Sequence, residues 1–135
     1  NMAGETDLKK LLTALQPHLH EGEFVFVTVD EAFAFDPQQV IATFKEAEGM
    51  TLVLPKSQAD VLKLEYDFVA AWITLQVCSS LQAVGLTAGV ATALAEHGIS
   101  CNVIAAYHHD HLFVDDKDAN AAMQVLRKLA EREQA

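Results

Sequence analysis

Four consecutive polar residues, His108-His109-Asp110-His111, stand between apolar runs and carry the side chains best suited to chemistry. Imidazole and carboxylate are ligands zinc favours, usually four of them converging tetrahedrally. In an extended segment alternate side chains point apart, so at most two of the four reach one ion. Asp115, Asp116 and His97 are the polar residues left nearby to complete such a site. No resident metal is expected. The run reads as a polar hairpin turn, or as a surface for a partner or ligand side chain.

The other chemistry-bearing types give less. Cys78 and Cys101 lie in apolar, strand-like runs and read as reduced core residues. Ser79 and Ser80 lack a G-x-S-x-G context, and the chain has no C-x-x-C and no phosphate-cradling or dinucleotide glycine pattern. Glu46 and Glu48 read as a solvated acidic loop. Trp72 and Phe68 read as core anchors. No catalytic residue and no cofactor is expected.

A different chemistry is written between Ser79 and Ile104, which reads as a loop, a small-residue helix, a glycine stop and an apolar strand. The turn at Gly85-Leu86-Thr87 opens the helix. Free backbone N–H groups and the positive end of the helix dipole then face whatever sits above. Residues 64–116 contain no Lys or Arg, so a carboxylate held here, beside Ser80 and over Gly85, Leu86 and Thr87, relies on backbone donors. The competing reading is an ordinary strand-to-helix turn. Asn102 is the second oddity, because Asn is disfavoured in strands. It either serves a ligand or satisfies a neighbouring loop.

The pattern G-L-x-x-x-G-V-A-x-x-L-x-x-x-G-I-x-x-N-x-I from Gly85 to Ile104 resembles the ACT domain, a small-molecule sensor of amino-acid metabolism, in its aspartokinase-type regulatory form. With Ala106-Tyr107-His108-His109-Asp110-His111-Leu112-Phe113-Val114 it looks closer still to short, free-standing bacterial tandem ACT proteins. The likeness is strong over residues 72–130 and weaker over 20–66. It implies a ligand between the first strand–helix loop and the next strand, often across a domain or subunit interface. Asn102 would then accept from a ligand ammonium, and backbone groups of Val103 and Ile104 would add contacts.

Bulk properties bound these readings. The 135 residues suit one compact unit or two very small ones, and 51% hydrophobic content fills a core. No run approaches the ~18 apolar residues of a membrane span, and no signal peptide is evident, so a cytoplasmic location is expected. A net charge of −10, from 19 acidic and 9 basic residues, repels phosphate backbones and argues against nucleic acid. The charge-sparse stretch 64–116 predicts a homodimer interface.

The elements that must position these residues follow from spacing. Thr6 or Asp7 caps a helix with Leu8, Leu11, Leu12 and Leu15 inward, stopped at Pro17. Glu23–Val29 alternates as a strand with both faces covered, and Val40–Lys45 reads as a short helix. Met50–Leu54 is a strand. Ser57 then caps a helix in capping-box fashion with Asp60. Tyr66–Val77 is a long strand. Gly85–Glu96 is a helix whose buried stripe is Ala88, Ala91, Leu94 and Ala95, ended by a left-handed Gly98. Gly89 inside it suggests close approach of a strand or ligand. Ile99–Ala106 and Leu112–Val114 are strands, and a last helix turns Ala119, Ala122, Met123, Leu126 and Leu129 inward.

The reading is an α+β protein of two ferredoxin-like, ACT-like subdomains with antiparallel sheets covered by helices. The N-terminal subdomain is degenerate, over 1–66, and the other spans 67–135. The second half is one strand short, so each half is expected to complete the other's sheet. The expected function is non-catalytic regulatory binding of an amino acid or similar small metabolite. The alternative is a protein–protein interaction module with a vestigial ligand site.

Overall fold

The structure, a computed structural model, describes residues 7–76 and 85–134. In chain order its helices are α1 Leu8–Thr13, α2 Lys56–Val61, α3 Leu86–Ala95 and α4 Ala119–Gln134. Its strands are β1 Pro17–Leu19, β2 Phe24–Val29, β3 Ala42–Glu46, β4 Gly49–Pro55, β5 Val69–Leu75, β6 Cys101–Ala105 and β7 Asp110–Asp115. Two compact units result. One comprises residues 21–70; the other joins the described residues up to His20 to those from Ala71 onward.

In the first unit β2 pairs antiparallel with β4, β4 with β3, and Phe24 and Val25 with the first residues of β5. The alternation of β2 puts Val25, Val27 and Val29 inward, where they bury with Leu52, Leu54 and Ala59. Its other face is covered at Phe24, half-covered at Phe26 and open at Thr28, so two-sided burial holds only at its start. The helix expected at Val40–Lys45 is instead strand β3, with Ile41 N–H donating to Val53 O at 2.7 Å. Six residues make a marginal helix, whereas β4 offers them a ready ladder. The capping box at Ser57 also fails. Pro55 is the N-cap residue and no side chain caps α2, while Asp60 accepts from Lys56 Nζ and from Tyr66 OH.

In the second unit the strand order is β1-β5-β7-β6, with β1 antiparallel to β5 and β6 antiparallel to β7. One face packs against α1, α3 and α4 around Leu11, Ile73, Leu75, Val90, Leu94, Leu112, Val114 and Leu126. Asp7 caps α1 through its carboxylate to Lys10 N–H, and the helix is over before Pro17, which opens β1. The buried stripe of α3 is Leu86, Val90, Ala93 and Leu94, whereas Ala88 and Ala95 face solvent. The bulkier side chains gain more from burial and so set the helix rotation. Gly98 takes the left-handed stop, with φ 71°. A Cβ built on Gly89 meets nothing within 4 Å, which removes close approach as the reason for that glycine.

The β5-α3-β6-β7-α4 order lacks one strand of a ferredoxin-like unit, and β1 fills that place beside β5. This is an α+β, ferredoxin-like fold. The unit boundary falls at Ala70/Ala71, and residues up to His20 belong spatially with the C-terminal part rather than with 21–66.

Candidate functional site

Gly85 is the N-cap residue of α3, at φ 97° and ψ −17°, and its carbonyl accepts from Gly89 N–H at 2.8 Å. Only glycine reaches that left-handed conformation without strain. No side chain caps the helix, and its first turn carries no acid to offset the dipole end. Leu86 is buried and anchors the turn in the core, while Thr87 is exposed. A Cβ on Gly85 would lie 3.1 Å from Leu8 Cδ2. The space beside its α-carbon therefore belongs to α1 rather than to a ligand. Ser80, like Cys78 and Ser79, lies outside the described residues.

Asn102, the second residue of β6, is exposed; its side-chain Nδ2 donates to Phe113 O, its cross-strand partner, at 3.3 Å. That bond explains an amide at a strand position. Cys101 and Val103 pack against the core beneath α3 and α4, so by alternation Asn102 and Ile104 stand on the opposite, helix-free face. Within one chain the α3 N-terminus and the Asn102 side chain are on different faces of the sheet. The structure does not bring them together around one ligand. Burial pushes the Cys101 thiol up to about 11, as befits an inert core cysteine.

The helix-free face also carries a cluster that spacing alone did not reveal. The ring of His20 stacks on Trp72, with centroids 3.5 Å apart and planes 12° apart, and His18 meets His20 edge-on at 4.7 Å. His20 Nε2 lies 2.7 Å from Thr74 Oγ1, which lies 3.0 Å from His111 Nδ1. Trp72 Nε1 donates to the same Nδ1 at 3.1 Å. Of the polar run, therefore, His111 finds its partners on β5 and not at Asp115, Asp116 or His97. Trp72 is half-buried and works as a stacking and donor group. The link was hidden because β1 and β5 are fifty residues apart in sequence, and β1 is too short to show a period. Among the described residues no group of three or more His, Cys, Asp or Glu is arranged to hold a metal ion.

Comparison with known proteins assigns the class. A family model for the ACT domain matches residues 3–71 and a second ACT domain model matches 68–128. The chain belongs to the ACT domain family, as a tandem of two such domains. A solved structure of a protein of unknown function from Vibrio cholerae, described as a possible transport protein, is 48% identical with a TM-score of 0.82. The match covers 93% of this chain and 97% of that one. A protein from Agrobacterium tumefaciens shares the fold at 14% identity and TM-score 0.66, over 86% of this chain and 89% of its own. So does the regulatory subunit of aspartate kinase from Thermus thermophilus, at 10% and 0.61, over 86% and 97%. No curated protein matches the chain. Among the described residues no helix is long and apolar enough to cross a membrane.

Proposed function

We propose that this tandem ACT protein is a non-catalytic regulatory module that binds an amino acid or a similar small metabolite in the cytoplasm. The observation that carries the reading is the uncapped start of α3 at a left-handed Gly85, in a chain matched by ACT domain models in both halves. Three successive backbone donors and a dipole end suit a carboxylate, and the first turn of the helix carries no acid.

The seat is formed by two copies. Ser80 and the turn Gly85, Leu86 and Thr87 of one copy take the carboxylate. Asn102, with backbone groups of Val103 and Ile104, comes from the other and takes the ammonium. Opposite faces within one chain argue for this division. The outer edge of β6, last in the strand order, offers backbone groups through which copies can meet.

A thermal-shift screen over the twenty amino acids tests the reading. A ligand at a hundred times its Kd stabilises the fold by ~2.7 kcal/mol, a readily measured rise in Tm. Failure of every amino acid at millimolar concentration to shift Tm leaves the interaction-module reading in its place.

A further inference from the structure

The cluster on the helix-free face has a direction. An indole N–H can only donate, so Trp72 makes Nδ1 of His111 an acceptor, and that nitrogen carries no proton. Thr74, 3.0 Å from the same nitrogen, must then turn its hydroxyl proton toward it, since two lone pairs would otherwise face each other. With its proton so used, Thr74 Oγ1 can only accept from His20, which places a proton on His20 Nε2. The result is a single chain, His20 Nε2–H to Thr74 O–H to His111 Nδ1, met from the other side by Trp72 Nε1–H. His111 is thereby neutral, as its Nε2–H tautomer, and His20 carries a proton on Nε2.

We propose that this chain is a proton-operated latch between β7 and β5: protonation of His111 turns its acceptor nitrogen into a donor, which breaks the bond from Trp72 and reverses the bond to Thr74. The threonine hydroxyl can turn to accept from the new N–H, but the indole proton stays where it is, so the Trp72 bond is lost.

The surroundings set the latch to open only on acidification. Burial is the main cause that holds His111 below the ordinary histidine range, and His109 adds to it while Asp110 opposes. His20 is lowered in the same way, by burial first and then by His18 and His111. The ionisable groups nearest the latch are His18 and His20 at β1 and His109 just before β7, while Asp110, next to His111, is turned by alternation to the face of Leu112 and Val114. The β5 and β6 residues on this face, Trp72, Thr74, Asn102 and Ile104, do not ionise in this range. Asp110 is buried and its carboxyl is pushed up, mainly by desolvation.

The sign follows. A histidine whose folded pKa lies below its unfolded 6.5 takes up its proton more readily when unfolded. Stability is full above about pH 6.5 and is lost as pH falls toward the folded pKa. A carboxylate with a raised folded pKa works in the opposite sense.

Trp72 is the chain's one tryptophan, so it reports on the latch directly. Long-range proton–nitrogen NMR of the wild-type protein at about pH 7.5 is expected to show His20 and His111 as Nε2–H tautomers. On titration toward about pH 5, His111 is expected to protonate below 6.5 and Trp72 emission to change with the same midpoint. His111→Asn keeps an acceptor near the Nδ1 position without a titrating group, and should flatten the Trp72 transition. An Nδ1–H tautomer of His111 overturns the proposal, as does a midpoint at or above 6.5, or a Trp72 transition that persists in folded His111→Asn. If that variant does not fold, the wild-type tautomer and midpoint decide.

Discussion

At φ 97°, Gly85 holds a conformation that costs an L-residue about 1–2 kcal/mol, and its missing Cβ leaves room for Leu8. Gly85→Ala should therefore lower stability by roughly that amount, read as a shift of the urea midpoint at unchanged m-value. An unchanged midpoint would mean that the turn relaxes to negative φ without cost. Cys101 makes a second residue-scale case. With its thiol pushed up to about 11 by burial, the thiolate is scarce at pH 8, so iodoacetamide should alkylate it far more slowly in the folded than in the urea-unfolded protein. Peptide mapping separates it from Cys78, and prompt alkylation of the folded chain would refute the buried assignment. At this scale the sequence was legible where one residue type has one physical use. Gly98 at a left-handed stop, a cap at Thr6 or Asp7 that falls to Asp7, and Cys101 against the core are of that kind. Asn102 was not, because a strand amide suits a cross-strand carbonyl as well as a ligand.

Elements were legible where periodicity ran long enough to outweigh chance. The helix α4 and strands β2, β4 and β6 stand within a residue or two of where spacing puts them. Short segments were decided by neighbours instead: β3 became a strand because β4 presented an open edge, and α2 began without its expected cap. The rotation of α3 shows the same rule, since counting alanines chose the wrong stripe while Leu86, Val90 and Leu94 chose the observed one. Two substitutions test the helices. Gly89→Ala adds a methyl that meets nothing within 4 Å, at a helical position where Ala is better by up to ~1 kcal/mol; Tm should rise. A fall would place an unseen neighbour over that residue. Leu126→Ala in α4 empties a fully buried site and should cost about 2–5 kcal/mol by chemical denaturation. A loss under 1 kcal/mol would show that α4 is loosely docked.

For the whole molecule, sequence order and spatial order part company at β1. Its three residues show no period, yet they complete the C-terminal sheet, so residues up to His20 leave the half to which the chain assigns them. The apolar stretch 64–116, free of Lys and Arg, was also a weaker argument for a dimer than it looked. Most of its large apolar side chains fill the chain's own core, and among the described residues there only Tyr107 is largely exposed. The case for a dimer therefore rests on the division of the ligand seat, and that division has its own test. Thr87→Glu puts a carboxylate over the α3 N-terminus, where it favours the helix dipole and repels a ligand carboxylate. Asn102→Ala removes a charge-assisted bond worth roughly 1.5–3 kcal/mol, about ten- to a hundred-fold in affinity. Each variant alone should fold and bind weakly, because a symmetric dimer carries the lesion in both seats. When the two variants are unfolded together and refolded, each mixed dimer has one seat with both lesions and one with neither. Calorimetry should then recover a wild-type-affinity site at reduced stoichiometry. If the seat lies within a single copy, mixing restores nothing.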